Sequence, residues 1–354
     1  MSIERRSRFT TRSNFSTRRE AAVQLGRGLR FEPLEDRRVL APVSWDGGGD
    51  GVNWSDPINW SGDALPNSAD DVTISVGGTI TVTHASGSTT IRSVTSDENL
   101  TISGGSLTVT NGASNINGDF SVGNLASLTA NGATATFTAN AAATINGANL
   151  FATGGGQLNL VTATSYAEQS FNLTSIQANG AGSKIDLSGV TSVTGTNGAL
   201  SVNALAGGTI EIDSLISTTA RDLNFNVDGA TSVLDLSALT SASDTSLLNS
   251  LTLANGGTLI APVLATYSGG SIVVNNMSAT LSSLTNINSS SLFTGTAGIL
   301  SLPNVTSYTE PPFANAVFQA NGAGSKIDLS GVTSLTGTNG ALSVNALAGG
   351  TIEI

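Results

Sequence analysis

One histidine, His84, and no cysteine stand in this chain of 354 residues. Thiol nucleophiles, thiolate metal sites and disulfide staples are thereby excluded, and so is any mechanism that needs two histidines. The absence of thiols leaves the redox compartment open. Lys184 and Asp186, repeated as Lys326 and Asp328, make the best remaining pair, since elimination from a uronate needs a base beside a cation. Cleaving a glycosidic bond needs instead two carboxyls roughly 5–10 Å apart. Lys and Asp two apart on a strand share its solvent face, however, and the plain reading is a solubilising pair. Arg92 and Arg221 have no acidic cluster beside them in sequence, and His84, in Thr-Val-Thr-His, reads as a surface strand residue. No Gly-x-Ser-x-Gly elbow and no phosphate-binding Gly-rich loop ending in Lys-Ser/Thr occurs.

Asp46, Asp50 and Asp56 lie among glycines, which raises the question of calcium. Their spacing fits neither an EF-hand loop nor a calcium β-roll nonapeptide, so they read as turn residues and no cofactor or metal is assigned. Trp45, Trp54 and Trp60 are the only tryptophans. Exposed, they could stack on sugar rings; the preferred reading buries them as a cap. A solenoid's first rung has no neighbour beneath it, and bulky aromatics cover the apolar end.

The elements that carry these residues follow from periodicity. Beyond Val72 the chain alternates aliphatic and small polar residues in short runs, such as Leu223-Asn-Phe225-Asn-Val227 and Leu234-Asp-Leu236. That is the period of β-strands with one buried face. Asn-Gly recurs between the runs, and both residues tolerate the positive φ of tight turns. No proline falls between Pro66 and Pro262, so strands there can pair on both edges. Asp244–Leu251 is the one passable helical stretch of the body.

Gln177–Ile212 recurs as Gln319–Ile354 with one difference, Val193 against Leu335, at an offset of 142 residues. The match extends weakly upstream to Ile145 and Ile287, through Leu150/Leu292, Tyr166/Tyr308, Glu168/Glu310 and Phe171/Phe313. Anchors near Leu200, Leu223, Leu251 and Ile272 predict rungs of about 21–28 residues, so six rungs would fill the unit and rise roughly 28 Å. The predicted fold is all-β, a right-handed parallel β-helix (β-solenoid). Tandem β-sandwiches are the alternative, disfavoured because the unit has no Trp and no bounding prolines. The predicted organisation is a disordered Arg-rich head at 1–41, a Trp-containing cap at 42–75 and a solenoid at 76–354, with repeat units 144–285 and a truncated 286–354. The interrupted second unit suggests a longer tandem array.

Charge separates head from body. Residues 1–41 carry ten arginines and five acids, +5, whereas the other 313 carry four bases and twenty acids, −16. A body so acidic cannot neutralise phosphates, which argues against nucleic acid as a partner. No run approaches a membrane span or a secretory apolar core.

Phe31-Glu32-Pro33-Leu34-Glu35-Asp36-Arg37-Arg38-Val39-Leu40 resembles the LEPRxLL-type sorting segment of large planctomycete extracellular proteins. Leu34, Glu35, Arg37 and Leu40 fall on that pattern, Phe31 and Glu32 lead into it, and Val39 replaces the more usual Leu. The resemblance implies export to the extracellular space or cell surface, with export machinery engaging the head. The Trp45-Asp-Gly to Asp71-Val-x-Ile segment is similar to the opening of many bacterial surface β-helix proteins. These readings predict a cell-surface structural or adhesive protein without catalysis of its own, with surface glycans or other envelope proteins as partners. The alternative is the non-catalytic N-terminal part of a large exported polysaccharide-acting enzyme, and a β-helix lyase or glycoside hydrolase is the lesser enzymatic reading.

Overall fold

The structure, a computed structural model, describes residues 42–195 and 197–354. It is a parallel β-solenoid whose rungs each contribute strands to three faces. The longest face is a sheet of twelve strands in unbroken sequence order from Ser88–Ile91 to Ala341–Leu347. A second face is a ten-stranded sheet from Val43–Ser44 to Thr258–Ile260, resumed by four strands from Ser278–Thr280 to Thr351–Glu353. The gap in it lies between Thr258–Ile260 and Ser278–Thr280. The third face is shorter and broken into groups of two to four strands. Single bridges between Ala143 and Ala163, and between Thr266 and Asn286, link some of these groups.

Every pairing between named strands is parallel, and one isolated bridge, Trp45 to Trp60, is antiparallel. Sandwiches built from antiparallel hairpins are thereby set aside. The alternation explains the register. Along the long sheet Leu107, Leu128, Leu150, Ile176, Val202, Phe225, Leu251, Ile272, Leu292 and Phe318 stand opposite one another in turn. All ten are buried. A one-residue slip at any rung would turn its aliphatics outward and its Ser, Thr and Asn inward. Each such side chain contributes roughly 1.5–3 kcal/mol by leaving water, and the column forms one continuous apolar spine.

The repeat is a whole number of rungs. Leu150 pairs with Ile176, Ile176 with Val202, Val202 with Phe225, Phe225 with Leu251, Leu251 with Ile272 and Ile272 with Leu292, six steps that end on the residue matching Leu150. Along the long sheet rungs run from 18 residues (Ser88 to Ser106) to 26 (Leu150 to Ile176), shorter near the first end than the periodicity predicts. There the connections shrink to one residue, as between Ser88–Ile91 and Ser93–Ser96.

The corner leaving the long sheet is held by glycine and buried serine. A Cβ at Gly208 would lie 2.2 Å from the Ala178 carbonyl oxygen of the preceding rung, and Gly156 faces Ala130 in the same way. Ser183 and Ser232 fill the corner in other rungs, donating to Asn179 O and Asp228 O at 2.8 and 2.7 Å. The helix expected over Asp244–Leu251 does not form. Asp244 accepts the Ser246 and Leu248 amides at 2.7 and 2.9 Å, Leu247 turns at φ 64°, and the strand Asn249–Ala254 follows. Among the described residues the one helix is a 3-10 turn at Pro57–Asn59, capped by Asp56.

Candidate functional site

The three tryptophans gather at the first end of the solenoid. Trp45, Trp54 and Trp60 are 3%, 2% and 0% exposed, so their faces are closed to sugars. Trp60 meets Trp45 and Trp54 edge-on, each at 4.8 Å between ring centres, and its Nε1 donates to Trp54 O at 2.7 Å. The glycine loop around them is organised by side chains that accept amides. Asp50 accepts from Val52 N and Asn53 N, both at 2.9 Å, and from Asn59 Nδ2 at 2.8 Å. The Asn53 and Val52 amides, with Asn59 and Asn53 side chains, hold its carboxyl well below the usual carboxylate range. Asp46 accepts Gly48 N and Asp56 accepts Ile58 N, each at 3.1 Å. These three acids are turn-makers, and among the described residues no three potential ligands converge on a metal position.

His84 is not on the surface. It is 2% exposed, its Nδ1 lies 3.0 Å from Gly104 O and its Nε2 3.0 Å from Thr89 Oγ1, and its ring packs 6.0 Å from that of Trp54. Both ring nitrogens are engaged, so the imidazole is a packed structural group under the cap. Arg92, with no acidic cluster beside it in sequence, meets a single acid, Asp71 of the preceding rung, at 3.5 Å. Sequence distance hid that partner: 21 residues apart, the two are rung neighbours.

Lys184 and Asp186 lie 3.3 Å apart on one strand, and Lys184 Nζ also reaches Glu211 of the next rung at 2.8 Å. Asp186 stands directly opposite Glu211, so the lysine bridges two neighbouring carboxylates across the ladder. Burial disfavours the ammonium, yet the Glu211 hydrogen bond and the two carboxylate charges outweigh it and raise its pKa. The second copy repeats the arrangement with Lys326, Asp328 and Glu353, at 3.6 and 2.8 Å. A lysine so tied clamps two rungs together.

The corner entering the long sheet holds residues the alternation does not mark. Tyr166 and Tyr308 point inward and donate to Ala148 O at 2.9 Å and Ser290 O at 3.0 Å. Two residues on stand Glu168 and Glu310. Glu310 accepts the Thr338 amide at 2.6 Å; the counterpart of Thr338 beside Glu168 is position 196, outside the described residues, and among those described the buried Glu168 oxygens have no partner. Burial, reinforced by Asp222 and Asp244, pushes Glu168 up to about 7. Nearby open two hollows. One of about 290 Å³ is lined by Asp244, Asn286, Asn288, Pro311 and Pro312; one of about 380 Å³ by Phe171, Asn172, Asn197, Arg221 and Asp222. Phe171 and Phe313 both stand out at 83% exposure. The signal that could have found them is their match across the repeat.

Phe31, Glu32, Leu34, Glu35, Arg37 and Leu40, with the rest of the head at 1–41, lie outside the described residues. No helix among the described residues is long and apolar enough to cross a membrane. The geometry thus defines the class, a parallel β-solenoid. No family model, curated protein or solved structure matches the chain.

Proposed function

We propose that this chain is a secreted, cell-surface structural or adhesive repeat protein, without catalytic activity of its own. The supporting observation is that its 142-residue repeat equals six whole rungs in unbroken register. Duplicating such a unit lengthens the stack by about 28 Å and reproduces its outer surface without reopening the core. The mechanism is therefore reach and repetition, with each copy presenting the same groups to a partner. The charged pairs best suited to chemistry are consumed as clamps between rungs, which fits a load-carrying role.

The test has two arms. The full chain, with residues 1–41, is expressed in a host that reads the sorting segment, and cell fractions are probed for it; the expected place is the surface or medium, and retention in the cytosol with an intact head contradicts export. The purified chain is incubated with pectin, alginate and sulfated glycans, and measurable turnover overturns the non-catalytic reading.

A further inference from the structure

The corner entering the long sheet turns through a left-handed residue in most rungs. Gly147, Asp222, Gly269 and Ser289 occupy that place with φ between 55° and 70°, and Leu125 and Leu247 do so at 65° and 64°, all one or two residues before a long-sheet strand. Glycine accepts this conformation without steric penalty, and Asp or Asn visits it readily. Phe171 and Phe313 occupy it at φ 60° and 58°, a conformation costly for any bulky side chain, and unlike Leu125 at 39% exposure and the half-buried Leu247 they stand almost wholly in solvent. The fold thus asks only for a left-handed residue, and a glycine serves it elsewhere.

Both rings are 83% exposed, so packing does not account for them. Nor does general similarity between the copies. Around them Gln169-Ser170 has become Pro311-Pro312, Asn172 has become Ala314, and Leu173 has become Asn315. A strained, solvent-facing phenylalanine is kept while its neighbours changed. Such an outlier points from structure toward use.

We infer that Phe171 and Phe313 are aromatic platforms of two glycan-binding sites, six rungs apart, that take a neutral hexopyranose polymer. The ring supplies a flat apolar face for the C–H face of a sugar. Around Phe171 the hollow of about 380 Å³ adds the amides of Asn172 and Asn197, the Arg221 guanidinium and the Asp222 carboxylate, whereas beside Phe313 Asn339 repeats Asn197 and Ala314 replaces Asn172, so there the ring is the main contribution. Arg221 makes no ion pair among the described residues, so its donors are available to hydroxyls. An isolated ring among amides suits a sugar better than a protein hot spot, which needs a larger desolvated cluster. The −16 balance of the body repels polyanions and selects a neutral chain. Two platforms about 28 Å apart gain from one polymer that spans them. This assignment deepens the adhesive reading and rests on it.

The test is affinity electrophoresis of the full chain through native gels holding soluble β-glucan, mannan or alginate, beside thermal unfolding. The wild type is expected to be retarded by at least one neutral polymer and not by alginate. Phe171→Gly and Phe313→Gly should each weaken retardation, and the double variant should weaken it at least tenfold, with unfolding temperatures equal to or above wild type. Phe171→Tyr, which keeps the platform, should retain binding. Retardation unchanged in the double variant, binding to alginate alone, or no binding to any neutral polymer overturns the assignment. So does a fall in unfolding temperature that accompanies the loss, since the rings would then be structural. An exported, inert chain that binds no glycan would reject the sites yet leave the structural reading standing; turnover would reject that reading itself.

Discussion

Trp60→Ala is the sharpest perturbation of the capped end. The indole is fully buried, touches two other indoles edge-on and donates to the Trp54 carbonyl at 2.7 Å. Truncating a buried Trp costs about 3–5 kcal/mol, and a carbonyl left without its donor adds about 1 kcal/mol. The loss is therefore about 4–6 kcal/mol, and its location matters more than its size. In a stack where each rung touches only its neighbours, damage at one end frays that end first. The chain offers a direct readout, because all its tryptophans lie between positions 45 and 60. Fluorescence of the remaining Trp45 and Trp54 reports the cap, and far-ultraviolet circular dichroism reports the body. Thermal unfolding of Trp60→Ala should show the fluorescence transition moved well below that of the wild type, with the dichroism transition displaced much less. Two coincident transitions, shifted equally, would refute the reasoning that the cap acts as a local end-cover.

Gly208→Ala should destabilise the stack by about 1–3 kcal/mol in urea unfolding, because the new methyl meets the Ala178 carbonyl of the rung before it. Gly77→Ala, whose Cβ would meet nothing within 4 Å, is the matched control and should stay within about 0.5 kcal/mol of wild type. Glu168 gives a pH dependence of defined sign. Its pKa is raised from 4.5 to about 7, so the stabilising protonated form is fully present below pH 4.5 and is lost as pH rises through 7. After discounting for its partly exposed position, the wild type should lose about 1–2 kcal/mol between pH 4.5 and 8. Glu168→Gln should flatten that window, and an unchanged profile in the variant would assign the loss elsewhere.

Much of this architecture was legible in residue order. The alternation of Leu223, Phe225 and Val227 marks an inward face, and the 142-residue offset counts whole rungs because a duplication that broke register would expose the core. His84 is a case where the signal was present and the residue type misled. It shares strand parity with the buried Val82, so period two places it inward, and two hydrogen bonds make that tolerable. Arg92 and Asp71 illustrate what local spacing does not carry, since partners one rung apart are separated by a variable number of residues. Corners obey neither rule. Phe171 and Phe313 sit where a left-handed turn resets parity, and only their persistence between diverged copies distinguishes them. The Asp244 segment fails as a helix because its carboxylate caps amides of a turn that a left-handed Leu247 then ends.

The central claim is a single stack in which the repeat advances by six rungs. The absence of cysteine makes one distance measurement clean: Gln177→Cys with Gln319→Cys, identical outward residues of the long sheet, each carrying a spin label. Pulsed dipolar spectroscopy should give one narrow distribution centred near the backbone separation of about 28 Å, broadened only by the label arms. A broad distribution, or one centred beyond about twice that separation, would mean units folded around separate cores and would contradict the account.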